Sequence, residues 1–99
     1  MALVWDEEKN RANQEKHGLS FAEAGELFTS GVEYLEVFDV DHSEAEDRFI
    51  AVGPIAKGLV LVVWTEVQDD VIRIISASWA TKREGDRYRS FVEGRMDHD

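Results

Sequence analysis

The chain has 99 residues, with 11 lysines and arginines against 21 aspartates and glutamates, 43% hydrophobic residues and no cysteine. A chain of this length buries one hydrophobic core, so we expect a single domain over 1–99, with a core of about 3–92 and a frayed tail of about 93–99. The missing cysteines exclude disulfides, thiolate catalysis and cysteine-based metal sites. Without a basic leader or an apolar run near the ~20 residues that span a bilayer, we expect a cytoplasmic protein.

The excess of negative charge lies in one block. From Phe21 to Asp47 there are nine acids and no base, and the net charge of the chain is −10. Such a block repels a phosphate backbone over a Debye length of about 8 Å, so nucleic acid must approach another surface. The block is either a solvated face that aids solubility or a docking face for a basic partner.

Three helices are predicted from signals at their ends. Asp6 can accept hydrogen bonds from the first amides of a helix, and Gly18 suits the left-handed residue after its end. Two capping boxes begin the other helices, and they are Ser20 with Glu23 and Thr81 with Glu84. The predicted helices run from about Glu7 to His17, Phe21 to Phe28 and Lys82 to Val92.

Segments rich in β-branched and aromatic residues predict strands. They are Leu3–Trp5, Val32–Phe38, Arg48–Val52, Leu59–Thr65 and Val71–Ala77. Residues 53–58 and 68–70 have the composition of hairpin turns, so neighbouring strands should be antiparallel. The order βααββββα predicts an α+β domain in which helices pack on a small, mainly antiparallel sheet.

Two histidine segments are candidates for chemistry. His17 ends the first helix, where an imidazolium suits the negative helix end, and histidine is also a proton carrier near neutral pH; the sequence leaves both interpretations open. Asp41, His42 and Ser43 have residue types found in metal sites and catalytic triads. Because further ligands and a glycine-flanked nucleophile are missing, we interpret them as ordinary loop residues.

Basic residues in two parts of the chain, the predicted strands and the last helix, are candidates for phosphate binding. Arg48 and Arg73 lie in predicted strands, where a guanidinium can bind phosphate as a fixed fork. Alternatively, Arg73 is a solvated cross-strand partner of an acid such as Glu66. The last helix carries several bases around Tyr88, which form either a solvated face or a surface where RNA bases stack while phosphates meet arginine.

Several motifs in order resemble those of one family. They are Trp5-Asp6-x-x-Lys9-Asn10-x-x-Asn13-x-x-Lys16-His17-Gly18-x-Ser20-Phe21-x-x-Ala24, His42-Ser43-x-x-Glu46-Asp47-Arg48-Phe49, Thr65-Glu66, Arg73-Ile74-Ile75-Ser76-Ala77 and Ala80-Thr81-x-x-Glu84-x-x-x-Tyr88. From about Val4 to Tyr88 the chain resembles the BrnT family of type II toxins.

This resemblance implies a RelE-like ribonuclease fold and an RNA endonuclease that arrests growth by blocking translation. It implies neither a cofactor nor a metal, because such ribonucleases use the substrate 2′-hydroxyl to attack the neighbouring phosphate. It also implies a partner, a BrnA-like antitoxin with a ribbon-helix-helix part. The expected complex is 2:2, contacts DNA only through the antitoxin and does not bind membranes.

The resemblance also suggests roles for residues of this chain. Arg48 and Arg73 would contact the phosphate, His17 or Glu66 would accept a proton, and Tyr88 would stack on or position the RNA. Further RNA contacts are expected from basic residues of the first and last helices: Lys16, Lys82, Arg83 and Arg87.

Two departures from the family pattern leave alternatives open. Ser78-Trp79 stands where similar proteins tend to continue with arginine, and Gly85-Asp86 replaces further bases, so cations that would stabilise a transition state are missing. Gly85 inside a helix also costs about 1 kcal/mol relative to alanine. The alternatives to an active toxin are a catalytically weak relative that binds the antitoxin and helps to repress its operon, and a plain acidic adaptor domain.

Overall fold

The computed structural model describes residues 1–96, with side chains up to residue 94. The helices and strands, in chain order, are β1 (Ala2–Val4), α1 (Glu7–His17), α2 (Phe21–Ala24), α3 (Glu26–Thr29), β2 (Leu35–Phe38), β3 (Phe49–Ile55), β4 (Gly58–Gln68), β5 (Val71–Trp79) and α4 (Lys82–Met96). A short 3-10 turn, Val40–His42, follows β2. The fold is α+β, as predicted. Within the described part of the chain, none of the helices has the length and apolar character needed to cross a bilayer.

The five strands form one mixed sheet in the order β1-β5-β4-β3-β2. Strands β2 to β5 pair antiparallel with their neighbours along the chain, whereas β1 pairs parallel with β5. Beyond β1, helix α1 approaches the remaining edge of β5, where the Asn13 side chain accepts a hydrogen bond from the Ala77 amide at 3.2 Å. Strand β2 forms the other edge of the sheet.

One face of the sheet, called here the inner face, packs against the helices that precede β2. Its buried core residues are Leu19, Phe21, Ala24, Leu27, Phe28, Ala51, Val60, Val62, Trp64, Ile72, Ile74 and Ala77. Helix α1 adds two buried asparagines: Asn10 accepts a hydrogen bond from the Phe21 amide, and Asn13 donates one to the Leu19 carbonyl. The opposite, outer face is crossed at one end by α4, and there Gly85 lies against Leu59.

The helices begin where predicted, and α1 also ends where predicted, whereas the second and last helices differ in length. Both capping boxes form. The predicted second helix is divided at Gly25, where an added Cβ atom would lie 2.7 Å from the side chain of Leu3, so the element order differs from the predicted one. Helix α4 continues through residues 93–96, where fraying was predicted. The rest of that predicted tail, 97–99, lies outside the described residues.

The β3–β4 hairpin is tighter than predicted. Gly53 to Ile55 belong to β3, so the turn consists of residues 56 and 57 alone. An added Cβ at Gly53 would lie 2.7 Å from Leu27 Cδ1 and 2.9 Å from Tyr34 Cβ. Glycine at this position therefore allows α3 and the segment before β2 to approach the strand. The predicted second strand also begins later, at Leu35.

Candidate active site

Residues of four neighbouring strands form a row across the outer face, called here the arginine row. Thr65 on β4 is opposite Arg73 on β5. Arg48 is the residue before Phe49 of β3, which pairs with Trp64 of β4. Asp39 is the residue after β2, and its amide donates a hydrogen bond to the Arg48 carbonyl at 2.8 Å. Successive side chains alternate between the two faces, and Trp64 is in the core. The row Asp39, Arg48, Thr65 and Arg73 therefore points to the outer face.

A single carboxylate joins the two arginines. Nη2 of Arg73 donates to both carboxylate oxygens of Glu46 at 2.7 Å, and Nη2 of Arg48 lies 3.7 Å from one of them. The side chains of Arg73, Arg48 and Glu46 are 39%, 34% and 32% exposed. The structure thus brings the two predicted phosphate ligands together around one anionic group, in a position open to solvent.

The alternative in which Arg73 pairs with an acid names the wrong residue, because the acid that binds Arg73 is Glu46 and not Glu66. The strand register places Thr65 opposite Arg73 and places Glu66 opposite Ile72. Glu66 borders a depression of about 370 Å³, which is also lined by Glu46. Glu66 therefore faces Ile72 across the strands and shares this depression with the carboxylate that joins the two arginines.

The surroundings of the row hold further donors. The Nε atom of Arg48 is buried and has no hydrogen-bond partner among the described residues. On the other side, Arg73 borders a depression of about 280 Å³ together with Asp6 and Lys9. Lys9 is an exposed cation at the start of α1, and sequence reasoning did not select it as a site residue. No group of three or more His, Asp or Glu side chains in the described chain could hold a metal ion.

A histidine–carboxylate pair lies at the β2 end of the row. Nδ1 of His42 is 3.1 and 3.0 Å from the two carboxylate oxygens of Asp39. The side chain of His42 is 68% exposed and that of Asp39 only 14%. The sequence interpretation considered Asp41, the residue adjacent to His42, whereas the 3-10 turn brings His42 back over Asp39, three residues earlier.

His17 and Lys16 lie far from the arginine row. Both belong to the last turn of α1, where the His17 carbonyl accepts a hydrogen bond from the Trp79 indole at 2.8 Å. Trp79 is six residues beyond Arg73 on β5, which corresponds to about 20 Å along an extended strand. The structure therefore does not bring His17 together with the two arginines.

The basic residues of α4 border a separate groove of about 770 Å³. Its lining residues are Leu35, Lys82, Arg83, Asp86, Arg87, Ser90 and Phe91. Asp86 pairs with Arg89 at 2.6 Å and with Lys82 at 3.0 Å, and these hydrogen bonds lower the pKa of the Asp86 carboxyl. Arg83 and Arg87 are exposed and make no ion pair within the described residues, so they are available to a ligand.

Tyr88 ties α4 to the segment before β2. Its hydroxyl donates to the Glu33 carbonyl at 2.9 Å, and burial together with the Glu33 charge raises the pKa of the phenol. Leu61 of β4 lies at the end of the sheet beneath α4. It is four residues before Thr65, which corresponds to about 13 Å between the two residues along the strand. The structure therefore separates Tyr88 from the arginine row but leaves both on the outer side of the sheet.

Comparison with known proteins identifies two similarities. A family model described as "Ribonuclease toxin, BrnT, of type II toxin-antitoxin system" matches residues 5–84. Among solved structures, the chain is similar to the crystal structure of the ribonuclease toxin BrnT of Brucella abortus, with 28% identity, a TM-score of 0.62, and coverage of 83% of this chain and 99% of that one. Comparison with curated proteins finds no match. The family match contains the whole arginine row and ends within the first turn of α4.

Proposed function

The chain belongs to the BrnT family of ribonuclease toxins of type II toxin-antitoxin systems, and from this premise we propose that it is a metal-independent endoribonuclease that cleaves cellular RNA and inhibits translation in the cytoplasm. Membership of the family implies an RNA substrate and an antitoxin partner. The observation that carries the proposal is the pair of guanidinium groups, Arg48 and Arg73, around one carboxylate on the outer face.

The two arginines provide the phosphate site. A guanidinium binds the oxygens of a phosphate as it binds those of a carboxylate, through parallel charged hydrogen bonds. In the free protein, the Glu46 carboxylate occupies this position between the two groups. In the proposed complex with RNA, the scissile phosphate takes the place of the Glu46 carboxylate. The arginines then stabilise the charge that develops on the phosphate oxygens during cleavage.

The RNA strand runs from the arginine row to α4. Between the two lies an apolar strip of the outer face, formed by Val37, Ile50, Val52 and Leu61, and Arg87 borders this strip. Bases can lie on this strip while flanking phosphates contact the exposed arginines of α4. Tyr88 then acts as a positioning residue, because its hydroxyl holds α4 in place.

Cleavage of RNA by the purified protein, with and without EDTA, tests the proposal. We expect cleavage in the presence of EDTA and a loss of at least tenfold in kcat/KM for Arg73→Ala, or about 1.4 kcal/mol of transition-state stabilisation. Arg11→Ala is the matched control, because it removes an exposed guanidinium of α1 instead of one from the sheet. Equal cleavage by Arg73→Ala and wild type would falsify the phosphate site, and cleavage abolished by EDTA would contradict metal independence.

The proposed partner is a BrnA-like ribbon-helix-helix antitoxin in a 2:2 complex, which binds operator DNA through the antitoxin. Membership of a type II family supports a protein antitoxin. Co-expression with the adjacent reading frame, followed by a mass measurement in solution, tests both the partner and the stoichiometry. A complex of any other mass would reject the 2:2 arrangement.

One observation favours a second candidate, a catalytically weak module that binds the antitoxin. Ser78 pairs with Leu61, so it lies on the outer face at the position where similar proteins tend to carry arginine. This candidate predicts a protein that binds its antitoxin tightly, leaves both naked RNA and ribosome-bound messages intact, and does not stop growth when expressed alone.

A further inference from the structure

We propose that His42, oriented by Asp39, is the catalytic residue that accepts the proton of the attacking 2′-hydroxyl. This inference rests on the ribonuclease function proposed above and deepens it, because it assigns the base to a histidine–carboxylate pair that is fixed beside Arg48. The His17 carbonyl contacts Trp79, which lies six residues beyond Arg73 on β5, or about 20 Å along the strand, and Glu66 borders the depression that Glu46 also lines.

The contact with Asp39 determines which nitrogen can act as the base. Nδ1 lies 3.0–3.1 Å from both oxygens of the carboxylate. An ionised carboxylate can only accept hydrogen bonds, so Nδ1 carries the proton and Nε2 of the neutral ring keeps a free lone pair. Asp39 is mostly buried while the ring is mostly exposed. This arrangement orients an imidazole through Nδ1 and leaves Nε2 open to a substrate.

Three backbone contacts fix the pair beside the phosphate site. The Asp39 amide donates to the Arg48 carbonyl at 2.8 Å. The hydroxyl of Ser43 donates to the Asp39 carbonyl at 2.5 Å and accepts from the Arg48 amide at 3.0 Å. In a regular antiparallel pair, the Arg48 amide would donate directly to the Asp39 carbonyl. Here the Ser43 hydroxyl bridges these two groups instead. The residue that orients His42 is therefore the immediate neighbour of an arginine that binds the phosphate.

The proposed step balances without a metal or a cofactor. Nε2 of His42 takes the proton of the 2′-hydroxyl, the 2′-oxygen bonds to phosphorus, and the bond from phosphorus to the 5′-oxygen breaks. The 5′-oxygen takes a proton from a water molecule, and the resulting hydroxide receives the proton held by His42. The products are a 2′,3′-cyclic phosphate and a 5′-hydroxyl, while Arg48 and Arg73 neutralise the charge on the phosphate oxygens.

The turn, the loop after it and the start of β3 carry charged groups close to His42 in the chain. They are Asp39 and Asp41 on the turn, Glu44, Glu46 and Asp47 in the following loop, and Arg48 before β3. Asp39 is the charged group that pairs with the ring. Because an imidazole must be neutral to act as a base, kcat/KM should fall on the acidic side of a profile measured over about pH 5 to 8.

The test uses the full chain and a short RNA that contains one cleaved bond. We expect His42→Ala to lose at least about 100-fold in the rate of single-turnover cleavage, to lose the acidic limb of the pH profile, and to regain activity when imidazole is added. Asp39→Asn should lose at least about tenfold and shift the acidic limb, which a merely structural contact would not do. Asp41→Asn is the matched control, since it neutralises an exposed carboxylate of the same turn instead of the one that pairs with Nδ1.

Each outcome of these measurements supports or rejects the role of His42 as the base. Cleavage by His42→Ala at the wild-type rate overturns the proposal, as does a loss that imidazole does not restore and that leaves the pH profile unchanged. His17→Gln, measured in parallel, overturns it if that variant alone loses the acidic limb. If the wild-type protein cleaves no RNA, the ribonuclease function fails and the role of His42 fails with it, whereas active wild type with active His42→Ala rejects the role of His42 alone.

Discussion

At the scale of single residues, the outer face has two arginines at one end and a serine where a third cation would fit. Arg73 and Ser78 both lie on β5, and their partners on β4, Thr65 and Leu61, place both side chains on the outer face. The strip between them is the proposed path of the RNA. A neutral side chain at position 78 therefore leaves one phosphate along this path without a positive partner.

Ser78→Arg should increase cleavage. An exposed guanidinium facing a phosphate contributes up to about 1 kcal/mol, which corresponds to a rise of about threefold to fivefold in kcat/KM. Ser78→Gln is the control, because it lengthens the side chain without adding charge. If the two variants cleave RNA at the same rate, position 78 does not face the substrate and its neutrality does not explain a weak enzyme.

The sequence identified the arginines but not what surrounds them. Arg48 and Arg73 stand out because a charge within an apolar strand is unusual, and that signal is local. Their meeting at Glu46 depends on the strand register, and the contact of His42 with Asp39 depends on a 3-10 turn; neither leaves a periodic pattern in the sequence. His17 is either a helix-end cation or a proton carrier by residue type, and residue type carries no information on its distance from Arg73.

At the scale of elements, the ends of the helices were predictable, whereas the buried face of α1 was not. The caps of α1 at Asp6 and Gly18 form as expected, because capping is a local hydrogen-bonding pattern. The buried face of α1, however, consists of Asn10 and Asn13, whose amides bond the backbone of the next loop and of β5. Hydrophobic periodicity cannot detect a helix that packs through amides, so this contact had no signal in the sequence.

The capping box of α2 makes the stability of the fold depend on pH. Hydrogen bonds to Glu23 from Lys57 and from Ser20 lower the pKa of its carboxyl from 4.5 to about 2. The folded state therefore favours the ionised form. The stabilisation from this group is complete above pH 4.5 and is lost as the pH falls towards 2.

Glu23→Gln should lower the free energy of unfolding at neutral pH, and its difference from wild type should narrow progressively below pH 4.5. Urea denaturation at a series of pH values measures this difference. Glu15→Gln is the control, because it neutralises an exposed carboxylate of α1 that makes no ion pair within the described residues. If the difference in the free energy of unfolding between Glu23→Gln and wild type stays constant with pH, the ion pair with Lys57 does not stabilise the folded state.

At the scale of the whole molecule, arginines lie at the two ends of the outer face, and exposed acids lie along the β2 edge. Several acids of the 21–47 block have partners: Glu23 pairs with Lys57, Asp39 with His42, and Glu46 with Arg73. Four others are exposed along β2 and the loop that follows it. The three that precede Asp47 in the chain, Glu36, Asp41 and Glu44, are called here the acidic edge. Exposed apolar side chains accompany them, namely Val37, Phe38 and Val40.

An edge with both acidic and apolar side chains suits a basic protein partner. Long-range attraction between opposite charges speeds association and is screened by salt, whereas it affects dissociation much less. The antitoxin should therefore associate more slowly by about tenfold as salt rises from about 0.05 M to about 0.5 M, with little change in its dissociation rate. Stopped-flow association with the antitoxin measures both rates.

Neutralising the acidic edge should slow association at low salt and flatten its dependence on salt. The variant carries Glu36→Gln, Asp41→Asn and Glu44→Gln. Its control carries Glu15→Gln, Asp69→Asn and Glu93→Gln, which removes the same number of charges elsewhere and leaves the same net charge. Equal association rates for the two variants would mean that only the total charge matters. If the edge variant alone is slow, the antitoxin approaches beside the Asp39–His42 pair, and binding there would cover the proposed base and block RNA cleavage.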